Sequence, residues 1–586
     1  FFVLMTSLVA NLAPATPKKS EVPPALHSTP PSLENNGCFN QRLESLVNDS
    51  PSKAKETSPF MGRTVSVVGD LSIDEQIYLY AQSRRFKEAI TRGDDVSYMR
   101  INDPEVGIYL VFMMESTRTK NSFLSAAQFH QTKVNDFNCA TSSFNKKESI
   151  TDTVKMLAGY SIKQSIFVIR SHSEGACTWL HDLFQTYSRQ MGLPEPAFIN
   201  AGDGRHSHPT HEYFDEFSFL EQLNWNRSRI RIALVGDLFH SRTVHSKAEG
   251  LAVFDEVFVD LVAPTELQLP SYIVQAMQDR KYHVRVFTDI QSYMEMEQKA
   301  NVWYFTNLQL ERFGDKLRDQ AMKLHEAVFF KEEWICQMQP DVRFYHPLPA
   351  HSPDVLNTVP LCVKDTHLNA WENQARNAYY VRTTLLAMVA GRIGMNFTGR
   401  PRTMVELKGE YVLPVPVSPA TPGSAFAKAD KGKSIKQLDM GMVIDHIGMG
   451  QTCKEIWEVI AKIRKVLKLN CISSHGVCKS SKSPGQLKGI ISLPDMEPFS
   501  MEQTLRLAMV SPECTVNHVE AGLVVQKWKL HPPPCVSDFA DIFCKNERCI
   551  GSPSRFESVT TFFKRQDEMY VCKYCETKHK YADIWA

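Results

Sequence analysis

The chain has 586 residues, with 66 Lys and Arg against 65 Asp and Glu and a formal net charge of +1. That length is about four times a typical domain of roughly 150 residues, so several cores are expected, and so even a charge balance excludes a chain-wide nucleic-acid or polybasic membrane surface as the default. With 43% hydrophobic residues the chain can bury those cores, yet no run approaches the roughly 20 apolar residues that span a bilayer, so a soluble protein is expected.

Residues 1–60 open on an apolar stretch without a basic flank and continue rich in Pro, Ser, Thr and Asn without periodicity. They read as a disordered leader; a truncated signal or transit peptide is the rival, since Phe rather than Met stands first. From 61 to 397, short β-type apolar runs at 107–114, 165–170, 229–237, 283–289, 301–306 and 342–346 alternate with segments of helical length and period. This pattern predicts parallel βαβ architecture in two α/β halves. Residues 398–437, Pro-rich and then Lys-rich, have the composition of an extended linker. Residues 438–532 mix a helix-like segment at 454–467 with β-type runs such as 522–527, which predicts an α+β domain.

The last segment, 533–586, carries Cys544 and Cys549 with four residues between them and Cys572 and Cys575 with two between them, and 22 residues lie between the pairs. Two thiolate pairs can wrap one tetrahedral Zn²⁺, and four protein ligands close the site, so a structural zinc is expected. A pair of disulfides is the alternative, and the spacing favours metal in a reducing compartment, which points to the cytosol.

The chemistry gathers where apolar runs end. Ser116, Thr117, Arg118 and Thr119 follow one such run and open a helix-like stretch. Free backbone N–H groups, hydroxyls and a guanidinium at that turn suit a phosphate; an ordinary Ser/Thr cap with a surface Arg is the bland alternative. Arg170 closes another run, Asp203 to Thr210 follows a third, Gly236 to Ser246 a fourth, and Gln309 to Arg312 and His346 to Pro349 come after. Open α/β sheets collect ligands at such strand ends. His206, His208 and His211, with Asp203 nearby, also permit a metal reading, a weaker one.

Taken in order, these motifs resemble the catalytic chain of aspartate carbamoyltransferase over about 61–397. The resemblance implies a carbamoyl phosphate domain at 61–209, completed by a C-terminal helix at about 373–397, and an aspartate domain at 210–372. It implies that Ser116, Thr117, Arg118, Thr119 and Arg170 hold the phosphate, with Thr119, Arg170 and His208 aimed at the carbamoyl oxygen. Ser142 and Lys146 match a mobile loop that the family lends to a neighbouring subunit, which implies a trimer of catalytic chains. Lys147 stands where the family usually has Gly. Arg242 matches a carboxylate contact, Gln309, Leu348 and Pro349 match further substrate contacts, and His211 takes a place where the pattern has Gln. The main departure is Asn307, where the family has a second carboxylate-binding Arg. Losing one charge-assisted contact, about 1.5–3 kcal/mol, weakens dianion use by roughly 10- to 150-fold, so retained aspartate specificity with reduced affinity is expected. Another amine acceptor and an inactive subunit are the alternatives, and ornithine suits the cations Lys146 and Arg242 poorly.

Val443 to Ile447, Thr515 to Asn517 and the cysteine pairs resemble the regulatory chain of the same enzyme, fused behind the catalytic one. That implies a nucleotide-binding-like domain at 438–532 and a zinc domain at 533–586 that docks on a catalytic subunit. Asp445, Asn517 and Lys527 match nucleotide-contacting positions, while Ser492 replaces an expected lysine, so nucleotide regulation is expected to be weak or absent. The implied reaction carries the carbamoyl group of carbamoyl phosphate to the amino group of L-aspartate, in pyrimidine synthesis.

Overall fold

The computed structural model describes residues 45–47, 57–114, 116–138, 148–309, 319–351, 355–402, 410–417, 438–480, 483–555 and 557–585. Strand β1 (Val106–Phe112) is buried along its whole length. A strand covered on both faces needs a continuous apolar run instead of alternation, and this burial is what that run anticipates. It pairs in parallel with β2 (Lys133–Asn138) and β3 (Gln164–Ser171), and β3 with β4 (Ala197–Asp203), giving the order β2-β1-β3-β4. A second parallel sheet follows, in the order β7-β6-β5-β8-β9, from β5 (Arg229–Gly236), β6 (Glu256–Val262), β7 (His283–Phe287), β8 (Val302–Thr306) and β9 (Arg343–Tyr345). The sequence runs did not include β2 or β6; β2 is a polar edge strand, Lys-Val-Asn-Asp-Phe-Asn, with pairing on one side only.

The helix Trp371–Val389 returns across the first half and packs on the helices Ile73–Arg92, Thr117–Phe129 and Pro209–Gln222. Helix Pro209–Gln222 also touches β4 and the short helix Lys247–Gly250, so it belongs to the packing of both halves. The expected leader is not structureless throughout. Leu46 is 3% exposed within the main core, Val47 bridges Phe397, and the Phe60 ring lies tilted 5.1 Å from that of Phe397. Burying such side chains stabilises by about 1.5–3 kcal/mol each, enough to pin a short segment.

A third, antiparallel sheet has the order β10-β15-β14-β11-β13-β12, built from β10 (Val412–Pro414), β11 (Gly441–Ile447), β12 (Ser474–Lys479), β13 (Leu487–Pro494), β14 (Thr515–Glu520) and β15 (Leu523–Leu530). One face packs on the helices Cys453–Val466 and Met501–Val510 through Met442, Ile444, Ile491, Leu493 and Ile456. Strand β10 corrects the linker reading, since part of 398–437 is an edge strand of this sheet; Pro414 is tolerated because an edge leaves one side unpaired. A small antiparallel sheet, β16 (Cys535–Ser537), β17 (Phe562–Gln566), β18 (Met569–Cys572) and β19 (Lys578–His579), ends the chain. It shares a hydrophobic cluster with the first sheet, with Trp179 edge-on to Tyr574 at 6.0 Å.

Candidate active site

The ends of β1, β3, β4, β5 and β8 meet at one cavity of about 420 Å³. It is lined by Ser116, Thr117, Arg118, Thr119, Arg170, His208, His211, Arg242, Asn307, Gln309, Leu348 and Pro349, so twelve of the fourteen expected substrate groups come together. Ser142 and Lys146 lie outside the described residues. Ser116 is the N-cap of the helix Thr117–Phe129, and its hydroxyl caps no backbone N–H, which leaves the helix entrance open to an anion.

Gly202, at φ +114°, shows how tightly the cationic groups converge: a Cβ there would stand 2.8 Å from Arg170 Nη1, 3.1 Å from Arg242 Nη2 and 3.4 Å from His208 Cδ2. Only glycine combines that backbone with that clearance. Arg170 Nη1 donates to Ala201 O at 2.9 Å and its Nε has no hydrogen-bond partner among the described residues. His208 is 3% exposed, and neither ring nitrogen has a hydrogen-bond partner among the described residues. Burial, then His211 and the guanidiniums of Arg242, Arg382 and Arg170, hold its pKa well below the usual histidine value, so it is a neutral imidazole with one N–H to give.

Elsewhere on the cavity wall, Arg242 Nη1 donates to Gly204 O at 2.6 Å. Asn307 is committed to the wall of the site. Its Nδ2 donates to Pro349 O at 2.9 Å and Ala350 O at 3.4 Å, and its Oδ1 accepts from Thr358 N at 3.3 Å and from His346 Nε2 at 3.2 Å. His346 Nδ1 accepts from Leu348 N, so its proton sits on Nε2, and burial presses its pKa down to about 3. The His211 ring lies 4.5 Å from Phe214 and its Nε2 3.6 Å from Asp215; burial, opposed by Asp215, brings its pKa to about 4.

Arg382 also lines the cavity and was not among the expected groups. It hydrogen-bonds Ser122, lies 4.7 Å over the Phe123 ring, and is brought by burial to about 9. A single Arg inside the apolar Tyr-Tyr-Val-Arg-Thr-Thr-Leu-Leu stretch is the signal that could have found it.

The histidine metal reading fails on geometry: His206 turns away to bond Asp203 and Glu576, each at 3.0 Å, while His208 faces the cavity. Among the described residues the metal-holding group is Cys544, Cys549, Cys572 and Cys575, all buried, with ligand atoms within 4.8 Å of one another. The Sγ atoms of Cys544 and Cys575 are 3.6 Å apart and those of Cys549 and Cys572 3.7 Å. A disulfide needs about 2.05 Å, whereas four sulfurs at about 2.3 Å from a tetrahedral zinc stand ~3.8 Å apart. Gly551 N donates to Cys549 Sγ at 3.4 Å, and Thr577 Oγ1 and His579 Nε2 lie 3.2 and 3.3 Å from Cys575 and Cys544, supporting thiolate charge from outside the ligand set.

Comparison with known proteins agrees with this geometry. Residues 63–221 match the aspartate/ornithine carbamoyltransferase carbamoyl-P binding domain and 228–389 the Asp/Orn binding domain. Residues 433–531 match the aspartate carbamoyltransferase regulatory chain allosteric domain, and 535–585 its metal binding domain. The chain is 44% identical to Protein PyrBI of Thermotoga maritima over 90% of this chain and 99% of the relative, and 43% identical to Protein PyrBI of Treponema denticola over 90% and 98%. It is 34% identical to the aspartate carbamoyltransferase catalytic subunit of Methanobrevibacter smithii over 47% of this chain and 80% of that one. The chain belongs to the aspartate carbamoyltransferase family.

In this aspartate carbamoyltransferase the catalytic and regulatory parts form one polypeptide, and the metal domain docks on the first α/β half of the same chain. Asn546 Nδ2 donates to Glu174 Oε2 at 2.6 Å, Ile150 N and Thr151 Oγ1 donate to the Glu557 carboxylate at 2.7 and 2.6 Å, and Lys573 meets Asp182 at 2.5 Å. In the allosteric domain Asp445, Asn517, Ser492 and Lys527 share the sheet face away from the helices, with Asn517 opposite Lys527 in register. Asp445 pairs with Lys488 at 2.7 Å, and Asn517 Nδ2 donates to Val443 O at 3.3 Å.

Proposed function

We propose that the chain transfers the carbamoyl group from carbamoyl phosphate to the amino group of L-aspartate, giving N-carbamoyl-L-aspartate and phosphate in pyrimidine synthesis. The observation that carries this reading is the convergence of Arg170, Arg242 and His208 on Gly202 within the cavity that also holds Ser116 to Thr119.

In this reading Ser116, Thr117, Arg118, Thr119 and Arg170 grip the phosphate, and Arg242 and Gln309 receive the aspartate carboxylates. The amine attacks the carbamoyl carbon and electrons move to the carbamoyl oxygen. The C–O bond to phosphate then breaks, and the amine proton leaves with the departing phosphate. Thr119, Arg170 and His208 supply donors already aimed at the developing charge, each worth about 2.7–4 kcal/mol. Positioning and electrostatics suffice, without a nucleophilic side chain. Ser142 and Lys146 complete the site from a neighbouring subunit, so activity rests on trimers of this chain.

In this reading the metal is zinc, held by the four cysteines as a structural ion, and a site built on free thiols suits the reducing cytoplasm as the chain's compartment. The domain plan follows the same reading: carbamoyl phosphate domain 61–209, aspartate domain 210–372, allosteric domain 438–532 and zinc domain 533–586. A nucleotide is the effector class for the allosteric sheet face, with little phosphate affinity because Ser492 offers no cation and Lys488 is paired to Asp445.

The decisive experiment is product formation from carbamoyl phosphate with a panel of amino acids. Aspartate as the best acceptor supports the reading. A second reading, another amine acceptor, is favoured by the commitment of Asn307 to the loop, and preference for a monocarboxylic acceptor would establish it.

A further inference from the structure

Behind the cavity lies a buried charge cluster that the reaction does not use directly. Lys247 is fully buried, and its Nζ donates to Glu212 Oε2 and Asp215 Oδ2, each at 2.8 Å, with Glu216 Oε1 at 3.9 Å. Its ammonium lies 4.7 Å over the Tyr304 ring, and Asp215 Oδ1 also accepts from Gln374 Nε2 at 2.6 Å. Glu212 Oε1 and both oxygens of Glu216 receive no donor among the described residues. A buried pair of facing carboxyls without donors keeps a proton between them, so Glu216 is a neutral acid and the cluster carries two carboxylates against one ammonium; burial and Glu212 hold the Glu216 pKa well above its usual value.

The three carboxyls stand on helix Pro209–Gln222, whose N-cap residue is His208. Lys247 stands after β5 of the second sheet, one residue after Ser246, whose N and Oγ both donate to Arg242 O at 3.0 Å. The approach is close: a Cβ on Gly250 would lie 2.1 Å from Glu212 Oε1. Replacing a buried ion cluster by apolar groups is commonly neutral or stabilising, so stability alone gives little reason for a lysine here, whereas paired charges fix one relative placement of the elements they join.

We propose that Lys247 is a positioning residue for the acceptor site: its bonds to Glu212 and Asp215 set the separation between Arg242, which follows β5 of the second sheet, and His208, which caps the helix after β4 of the first. The inference rests on the assignment of Arg242 to the acceptor carboxylate. A guanidinium displaced by an ångström loses its grip on a carboxylate, while the phosphate cradle at Ser116 to Thr119, on a different helix, stays in place.

Steady-state kinetics and thermal unfolding of the full-length oligomer carrying Lys247→Met, Lys247→Arg, Glu212→Gln or Arg242→Ala test this. The expected result for Lys247→Met is an aspartate KM raised about tenfold or more with the carbamoyl phosphate KM within about twofold, and partial recovery in Lys247→Arg. A folded Lys247→Met enzyme with both KM values unchanged, or with only a lowered Tm and fewer active sites, overturns the inference. Should Lys247→Met not fold, the shape-preserving Glu212→Gln is expected to give the same split, and an unchanged aspartate KM there overturns it. An unchanged aspartate KM in Arg242→Ala overturns the assignment beneath it, and is read independently of the lysine variants.

Discussion

His208 offers the sharpest test of the site. It is 3% exposed, faces the cavity beside Arg170 and Arg242, and has no hydrogen-bond partner on either nitrogen among the described residues. Burial and the adjacent His211, Arg242, Arg382 and Arg170 keep it neutral, so in the proposed reaction its contribution is one N–H directed at the oxygen where charge develops. Removing one such donor costs about 2.7–4 kcal/mol, so His208→Ala is expected to lower kcat by roughly 10²- to 10³-fold. His208→Asn keeps a neutral donor of shorter reach and should retain part of that loss. The protonation state is tested by pH. Because kcat/KM reports ionisations of the free enzyme and free substrates, substrate ionisations cancel in the ratio of wild type to His208→Asn, and a neutral His208 predicts a ratio constant from about pH 6 to about pH 8. A ratio that climbs as pH falls through about 6.5 would mean that the imidazolium is the donor and would refute the reasoning.

Asn307→Ala removes donors to Pro349 O and Ala350 O; two hydrogen bonds at about 0.5–1.5 kcal/mol each predict kcat/KM for the acceptor lowered roughly 5- to 150-fold, and steady-state values equal to wild type would show that the loop holds itself. Asn307→Arg restores the missing cation, so the aspartate KM should fall, and an unchanged or higher KM counts against reduced affinity as the consequence of Asn307. For Asp445, burial pushes the pKa up, but the hydrogen bonds from His446 and Lys488 outweigh it and bring it from 3.8 to about 2. A depressed carboxyl contributes stability above its unfolded pKa and loses it as pH falls through the folded one, here ~2 kcal/mol lost between about pH 4 and about pH 2. Denaturant unfolding should therefore show Asp445→Asn less stable than wild type by ~2 kcal/mol at neutral pH, the gap closing on acidification; a gap that widens instead contradicts the pairing with Lys488. Cys549→Ser should lose the bound metal, read by elemental analysis as zinc in the wild type, and shift tryptophan fluorescence as Trp179 parts from Tyr574 at 6.0 Å; full metal content in the variant would exclude the cysteine site. Millimolar CTP or ATP is expected to leave activity nearly unchanged, and a severalfold shift would show that Lys527 and its neighbours hold phosphate without a cation at Ser492.

The sequence by itself determined the parallel α/β halves, because strands buried on both faces, such as Val106–Phe112 and Val302–Thr306, are written as unbroken apolar runs. It also determined the open helix entrance at Ser116 to Thr119 and the four clustered thiols, since a helix entrance and a metal tetrahedron use groups close together along the chain. What only the tertiary structure decided lies in contacts between distant segments. Polar β2 became a strand because β1 offers it an edge, and Val412–Pro414 joined a sheet whose partner strand is more than a hundred residues away. Asn307 reads in sequence as a missing cation, and only the fold shows it bracing Pro349 and Ala350. Arg382 and Lys247 sit in ordinary-looking helices and acquire their roles from what packs against them, because burial and pairing of a charge are set by neighbours that no local pattern records.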